Sequence, residues 1–224
     1  MCSVQIGALL IGIGAAYLIC RIIKNSNLPR MFLWACEAGE DKDASEFLES
    51  KKVDPSASDK DGKTCLMWAC QQGLDQTVQS LLERLSLTDI NKRDEKGHTA
   101  LMYAIEAKQF ECVDRLFLKI PNIDVCYSKE RGQTCLMWAI EQDLDQTAEK
   151  LLSVMNIIDI NKKDKSETTA FMHAIRKNNI FLTSIFSSME GIEVSDFEVT
   201  DVKTGLILAS QTNFGQLVKK LLPN

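Results

Sequence analysis

Two histidines and a recurring set of aspartates are the side chains of this chain best suited to acid–base chemistry. His98 lies in a polar turn, and His173 takes a position that aromatic residues hold in other copies of a repeated pattern. Asp59, Asp94 and Asp164 recur at one position of the same pattern. This recurrence explains the carboxylates as turn residues and the histidines as structural side chains. No nucleophile, base and orienting group come together, so the sequence predicts no catalytic site, no metal site and no cofactor.

Two other groups of residues resemble sites of known chemistry. Gly62-Lys63-Thr64 has the order that ends a phosphate-binding loop, but the glycine required five residues earlier is Ala57. Eight cysteines are present without a Cys-x-x-Cys pair or an Asn-x-Ser/Thr sequon. Several cysteines share repeat positions with alanine, which indicates small core residues in a reducing, cytosolic location.

A repeat of 35 residues supplies the elements that position these side chains. In each copy a polar turn ends at a threonine suited to cap a helix, and an apolar helix follows. A turn at Gly73 then leads to a second helix with apolar residues on one face. Because neither helix can bury its face within one copy, the copies must stack. The threonines of the five clearest copies are Thr64, Thr99, Thr134, Thr169 and Thr204.

The pattern Asp-x-x-Gly-x-Thr-x-Leu-x-x-Ala, followed by Gly, Val-x-x-Leu-Leu and Asp-Ile-Asn, resembles the ankyrin repeat. The resemblance covers nearly all of residues 29–224 and implies an all-α solenoid of helix-turn-helix units with β-turn tips. About six repeats are expected, with the first and last acting as caps. The chain departs from the family by an extra stretch after the second helix. In the fifth copy, Ile185-Phe186 stand out of step with Leu81-Leu82.

The turn between the two helices of a unit departs from the family in several copies. Its usual glycine remains at Gly39 and Gly73 but becomes Lys108, Asp143 and Asn178 in later copies. Such a turn needs the left-handed backbone conformation, which asparagine and aspartate tolerate. The lysine is therefore expected to be the most strained of these residues.

The N-terminal segment 1–24 is predicted to be a single transmembrane helix. Residues 4–23 form an apolar run of about the length that spans a bilayer as a helix. Arg21, Lys24 and Arg30 follow the run, which places the repeats in the cytoplasm. A cleaved signal peptide and a helix packed against the first repeat are the alternatives. Residues 25–28 form a short linker, and the endoplasmic reticulum and the mitochondrial outer membrane are equally compatible with this segment.

The charge of the repeat region argues against nucleic acid as the partner. Net charge is −5 for the whole chain. Residues 1–30 contain three basic residues and no acidic residue, so the remainder has 23 basic and 31 acidic residues. Nucleic-acid binding requires a basic surface. An acidic stack instead favours protein partners.

The ankyrin resemblance implies a protein-binding surface along the turn tips and the exposed side of the first helices. Trp68, Tyr103 and Trp138 align with Trp34 in one register, where they either contact a partner or pack between neighbouring helices. The other candidate positions are Lys60, Asp61, Lys63, Gln71, Gln72, Glu95, Lys96, His98, Glu106, Glu130, Arg131, Gln133, Glu141, Gln142, Lys165, Arg176 and Lys177.

The sequence therefore predicts a membrane-anchored, non-catalytic scaffold or adaptor that binds another protein with a cytosolic ankyrin stack. One alternative is a secreted or soluble effector whose apolar start is an export signal. Another is an adaptor that presents substrates to a modifying enzyme complex. The identity of the partner and the oligomeric state stay open at this point.

Overall fold

The computed structural model describes residues 28–49, 53–119 and 132–193, together with residues 203, 206 and 207. The predicted span over residues 4–23 lies outside these described residues, as does most of the sixth repeat. Among the residues that are described, no helix is long and apolar enough to cross a membrane. The first helix begins at Leu28, one residue before the predicted start of the repeat domain, and Pro29 lies in its first turn.

The described part of the chain is built from helices in pairs, with regular strands absent from it. Isolated antiparallel bridges join Ser58 to Thr64 and Lys163 to Thr169 at the turn tips. Described residues thus confirm an all-α repeat architecture. The helices are α1 Leu28–Ala38, α2 Asp41–Glu49, α3 Cys65–Gln72, α4 Asp75–Arg84, α5 Leu87–Ile90, α6 Ala100–Glu106, α7 Phe110–Lys119, α8 Cys135–Glu141, α9 Asp145–Val154, α10 Ile157–Ile160, α11 Ala170–Arg176 and α12 Ile180–Ser188.

The first helix of each unit packs on the first helix of the next unit. This inner row runs through α1, α3, α6, α8 and α11 in sequence order. The second helices lie behind them, and α2 packs on α4, α4 on α7 and α9 on α12. Each apolar face is therefore covered by a neighbouring repeat, as the stacking of repeats requires.

The threonine caps that the sequence predicts are confirmed at four helices. The hydroxyl of Thr64 accepts a hydrogen bond from the Met67 N–H at 3.2 Å, and Thr99, Thr134 and Thr169 cap the next inner helices in the same way. The Met67 sulfur in turn accepts the Thr64 N–H at 3.3 Å. Threonine and methionine thus close a reciprocal cap at the start of the helix.

The turn between the paired helices is left-handed in every described unit. Gly39 and Gly73 have φ of 82° and 72° there, and Lys108, Asp143 and Asn178 have φ of 57°, 59° and 56°. The prediction of a left-handed turn without glycine is confirmed. Lys108 carries the greatest strain of the three, because its side chain offers none of the local hydrogen bonds that help asparagine and aspartate in this conformation.

The extra length after the second helix forms a one-turn helix that the sequence reading did not foresee. In the second repeat this helix is α5, which Ser86 caps by accepting the Asp89 N–H at 3.2 Å. Ile90 is the last residue of this helix and is buried, with 2% of its surface exposed. In the fourth repeat α10 is capped by Asn156 in the same way. The Asp-Ile-Asn segment is therefore part of a capped turn.

The described cysteines confirm the prediction of small core residues. Cys36, Cys65, Cys70, Cys112 and Cys135 are all buried and lie outside disulfide bonds. A hydrogen bond with Cys65, together with burial, raises the pKa of the Cys36 thiol, and burial raises the pKa of the Cys70 thiol. Both effects hold these thiols in the unreactive protonated form.

The fifth copy keeps its second helix although its apolar pair Ile185-Phe186 is shifted by one residue from Leu81-Leu82, as the sequence indicates. Phe186 is fully buried and takes the position that Leu81 holds three repeats earlier. Ser187 follows in the position of Leu82, and its hydroxyl donates to the Thr183 carbonyl at 2.6 Å. A hydroxyl that bonds to its own helix can be buried without a partner from another element. The serine therefore keeps the register of the helix.

Candidate functional site

The repeated turn aspartates hold the polar tips against the inner helices. Asp59 accepts the N–H groups of Asp61 and Lys63, each at 2.9 Å, with one carboxylate oxygen. Its other oxygen accepts the indole N–H of Trp68 at 3.1 Å. One side chain thus fixes both the turn and the ring that follows it. These hydrogen bonds give the turn aspartate the structural role that the sequence predicts.

The same arrangement recurs in the third and fifth repeats with different rings. Asp94 accepts the N–H of His98 and the hydroxyl of Tyr103, both at 2.7 Å. Asp164 accepts the N–H of Thr168 at 3.0 Å and lies 3.1 Å from Nε2 of His173. The aspartate therefore recognises whichever polar ring stands at the inner-helix position. His173 is thereby explained as a structural residue.

A row of rings on the inner helices runs along the stack, one ring per repeat. We call it the ring column, and its members are Trp34, Trp68, Tyr103, Trp138 and His173. Trp34 is 36% exposed, Tyr103 is 8% exposed, and the other three rings are half-buried. The residues just before the cap threonines are Lys63, His98, Gln133 and Thr168, and the side chains of the first three contact this column.

Lys63 occupies the gap between the second and third rings. Its Nζ lies 3.5 Å from the centroid of Trp68 and 3.9 Å from that of Tyr103. The ammonium also donates to the Oε1 of Gln71. Burial lowers the pKa of Lys63 to about 8, although the carboxylates of Asp59, Asp94, Glu106 and Glu37 oppose the shift. A cation between two ring faces is therefore part of the folded structure.

His98 and Gln133 fill the next positions in the same direction. The His98 ring stands edge-on to Tyr103 and Trp138, with centroids 5.6 Å and 5.2 Å away. Gln133 accepts the indole N–H of Trp138 at 2.7 Å and donates to Glu141, also at 2.7 Å. A buried polar side chain thus stands beside Trp68, Tyr103 and Trp138.

Most of the candidate residues lie where a partner can reach them, but four do not. Lys63, His98, Gln133 and Tyr103 are buried, with 8%, 8%, 4% and 8% of their surface exposed. The expectation of an exposed turn tip was therefore wrong for the first three, and Tyr103 packs inside the stack, which was one of its two alternatives. The physical reason is that each pairs with a ring or a carboxylate of the column. Glu130 and Arg131 lie outside the described residues. The exposed candidates are Lys60, Asp61, Gln72, Glu95, Lys96, Glu106, Lys165, Arg176 and Lys177, and the half-buried ones are Trp68, Gln71, Trp138, Glu141 and Gln142.

One residue of this surface was missed from the sequence. Glu37 follows Trp34 by three residues, as Glu106 follows Tyr103 and Glu141 follows Trp138. Its side chain is exposed on the inner helix α1. The spacing from the ring to the acid was the signal that would have found it.

The outer side of the stack has a separate groove between α4 and α7. It has a volume of about 190 Å³ and is lined by Gln79, Leu82, Glu83, Arg115, Leu118 and Lys119. Within the described part of the chain, no group of three or more histidine, cysteine or acidic side chains is placed to hold a metal ion. Neither the groove nor the ring column brings a nucleophile and a base together. The arrangement is suited to recognition by shape and charge.

Comparison with known families agrees with the architecture. A family model described as ankyrin repeats, in three copies, matches residues 32–129 and 83–164. These two overlapping matches span more than half of the chain and include the column from Trp34 to Trp138. No curated protein matches the sequence.

Proposed function

The chain belongs to the ankyrin-repeat family, and we propose that it is a non-catalytic scaffold or adaptor that is anchored in a membrane and binds a partner protein. Ankyrin repeats form protein–protein interaction domains. Binding is assigned to the turn tips and the exposed side of the inner helices.

The buried hydrogen bonding beneath the inner face is the observation that carries this proposal. Each described turn aspartate bonds both its own tip and a ring of the column. The exposed side chains above, such as Lys96 and Lys165, therefore extend from a backbone that is already fixed. A preformed surface loses little conformational entropy on binding, which favours affinity.

The charge on this face is distributed unevenly. Glu37, Glu106 and Glu141 lie on the inner helices of the first, third and fourth repeats. Arg176 ends the inner helix of the fifth repeat, and Lys177 caps it. Lys177 is held by Asp143, whose carboxylate accepts its ammonium at 2.9 Å. A partner with a basic segment towards the first repeats is the best complement to this pattern.

The membrane anchor is proposed from the sequence alone. Residues 4–23 supply an apolar run of spanning length, and basic residues follow it. An anchor of this kind would raise the local concentration of a bound partner at the membrane surface. The short linker of residues 25–28 would keep the stack close to that surface.

Membrane fractionation tests the anchor. The full chain and a chain without residues 1–24 would each carry a C-terminal tag. We expect the full chain to resist carbonate extraction, to keep its N-terminus and to expose its repeats to protease added to the cytosolic side. A soluble or N-terminally cleaved full chain would instead support the effector alternative.

Site-specific photo-crosslinking tests the binding surface. A photoreactive amino acid would replace Lys96 at a turn tip of the inner face, and in a matched control it would replace Glu149 on the outer helix α9. Both positions are exposed. We expect discrete crosslinked partners from the tip and not from the outer helix. Equal crosslinking from both positions would refute the assignment of the surface.

A further inference from the structure

The gap between neighbouring rings of the column follows a simple pattern. In the second and third repeats, the residue just before the cap threonine inserts its side chain beside the ring of its own repeat and the ring of the next. Lys63 does so between Trp68 and Tyr103, and His98 does so between Tyr103 and Trp138. Each of these gaps thus contains a side chain that carries or can accept a proton.

The first gap, between Trp34 and Trp68, does not receive such a side chain from the repeat pattern. The residue in register with Lys63 is Pro29, which lies 34 residues earlier and has neither a charge nor a side-chain donor. Trp34 has 36% of its surface exposed, whereas Tyr103 in the filled column has 8%. The side chain of Trp34 is therefore accessible to solvent.

An acidic group stands at the edge of this first gap. Glu37 lies on α1 at the position that Gln71 and Glu141 hold in their own repeats. Gln71 accepts the ammonium of Lys63, and Glu141 accepts the side-chain amide of Gln133. Within the described residues, the Glu37 carboxylate makes no hydrogen bond or salt bridge. The acceptor position that serves the inserted side chain in other repeats is here exposed and charged.

We propose that the gap between Trp34 and Trp68 binds the side-chain ammonium of a lysine from the partner protein. The partner lysine takes the place that Lys63 takes between the next two rings, with its ammonium against the ring faces and its donors towards Glu37. This assignment rests on the proposed function, because it names the chemistry that the inner face recognises. The stack's own lysine shows that the geometry of neighbouring rings accepts an ammonium.

The charge of the site selects a cation over an apolar side chain. An apolar group inserted beside Glu37 would remove water from the carboxylate without replacing its hydrogen bonds, which is unfavourable. An ammonium satisfies the carboxylate and gains the attraction of the aromatic faces. A lysine reaches the gap on a flexible apolar stem, as Lys63 does.

Tryptophan NMR of the full chain in detergent micelles tests the proposal. The chain has three tryptophans, so ¹⁵N-tryptophan labelling gives three indole signals, assigned by single substitutions to phenylalanine. The probe is Nα-acetyl-lysine methylamide, and Nα-acetyl-norleucine methylamide is the uncharged control. We expect the lysine probe to shift the signals of Trp34 and Trp68 but not that of Trp138. Equal shifts from both compounds, or no shift from either, would overturn the proposal.

Two substitutions separate recognition of charge from general effects. Glu37→Gln keeps the shape and removes the charge, and it is expected to weaken the lysine probe about twofold to fivefold. Glu149→Gln on the outer helix is the matched control and should leave binding unchanged. Trp34→Leu should abolish the shift at Trp68 while the Trp138 signal stays in place, which shows that the stack is still folded. Equal effects of the two glutamine substitutions would contradict the assignment.

Crosslinking from position 96 distinguishes failure of this site from failure of the scaffold. If the lysine probe leaves the indole signals unchanged while crosslinking from the turn tip persists, the lysine site is refuted and the scaffold stands. If the photoreactive residue at position 96 captures no partner either, the proposed function itself is refuted.

Discussion

Lys63 is expected to make the protein more stable as the pH rises from 7 to 10. Its pKa is about 8 in the folded chain and 10.5 in an unperturbed lysine. Between these values the unfolded chain binds the proton and the folded chain does not. Because stability rises with pH wherever the unfolded state binds more protons, burial of the charged lysine opposes folding fully below pH 8 and progressively less above it.

The size of this effect follows from the two pKa values. Linkage between a pKa of about 8 and one of 10.5 gives at most about 2.5 kcal/mol of added stability between pH 7 and pH 10. The faces of Trp68 and Tyr103 attract the cation and reduce this value. The pH range ends at 10 because of Tyr103, whose pKa is raised by burial and by the hydrogen bond to Asp94. Above the ordinary pKa of tyrosine, the unfolded chain loses this proton and the folded chain keeps it, so stability falls as the pH rises.

Two substitutions at this position provide the comparison. Lys63→Met is neutral at every pH, and Lys63→Arg is charged at every pH. Urea unfolding of the full chain in nonionic detergent, followed by circular dichroism, gives the free energy of unfolding at pH 7, 8, 9 and 10. We expect the wild type alone to gain stability relative to both variants. Parallel pH dependence of the wild type and Lys63→Met would refute the reasoning, and the ¹³C shift of the lysine ε-carbon checks the pKa directly.

Three further perturbations test the fold. Asp94→Ala is expected to lower the free energy of unfolding by about 2–4 kcal/mol, because it leaves the Tyr103 hydroxyl and a turn N–H without an acceptor. Asp94→Asn keeps one acceptor, so equal losses in urea unfolding would contradict this account. Lys108→Gly should stabilise the folded chain by up to about 1 kcal/mol, because it removes the strain of a left-handed lysine. Asn178→Gly should give a smaller change. A lower midpoint of thermal unfolding for Lys108→Gly would contradict this expectation. The buried cysteines should react with a maleimide only when urea unfolds the chain, and peptide mapping would identify the labelled positions. Rapid labelling of the native chain would count against their burial. These residues are Cys36, Cys65, Cys70, Cys112 and Cys135.

Local backbone chemistry made much of the fold predictable from the sequence. A threonine before an apolar run has few roles other than a helix cap, and Thr64 caps α3 as expected. A turn position that is glycine in one copy must be left-handed in the others when the copies are similar. The left-handed conformations of Asp143 and Asn178 follow from that comparison. These features depend on residues that are close in sequence, and a repeat shows the same local pattern several times.

The buried polar residues were not predictable from the same pattern. Lys63 and His98 look like exposed turn residues, because lysine and histidine in a glycine-containing turn usually face solvent. Their burial depends on rings in their own repeat and the next, so it is a property of the stack. The short helices α5 and α10 were missed for a different reason. A single capped turn is too short to show helical periodicity.

The unsatisfied polar atoms of the stack bear on where a partner would bind. Among the described residues, the buried side-chain atoms without a hydrogen bond are Nε of Arg115 and Oγ1 of Thr183, which lie on the outer helices α7 and α12. The inner face has its buried polar atoms paired, which holds its rings in place. Rigid rings at fixed spacing can select a cation by geometry, since the aromatic faces need no rearrangement to meet it. The first gap is the place where Trp34 is exposed near the Glu37 carboxylate, so the proposed recognition at that end uses a cation from the partner.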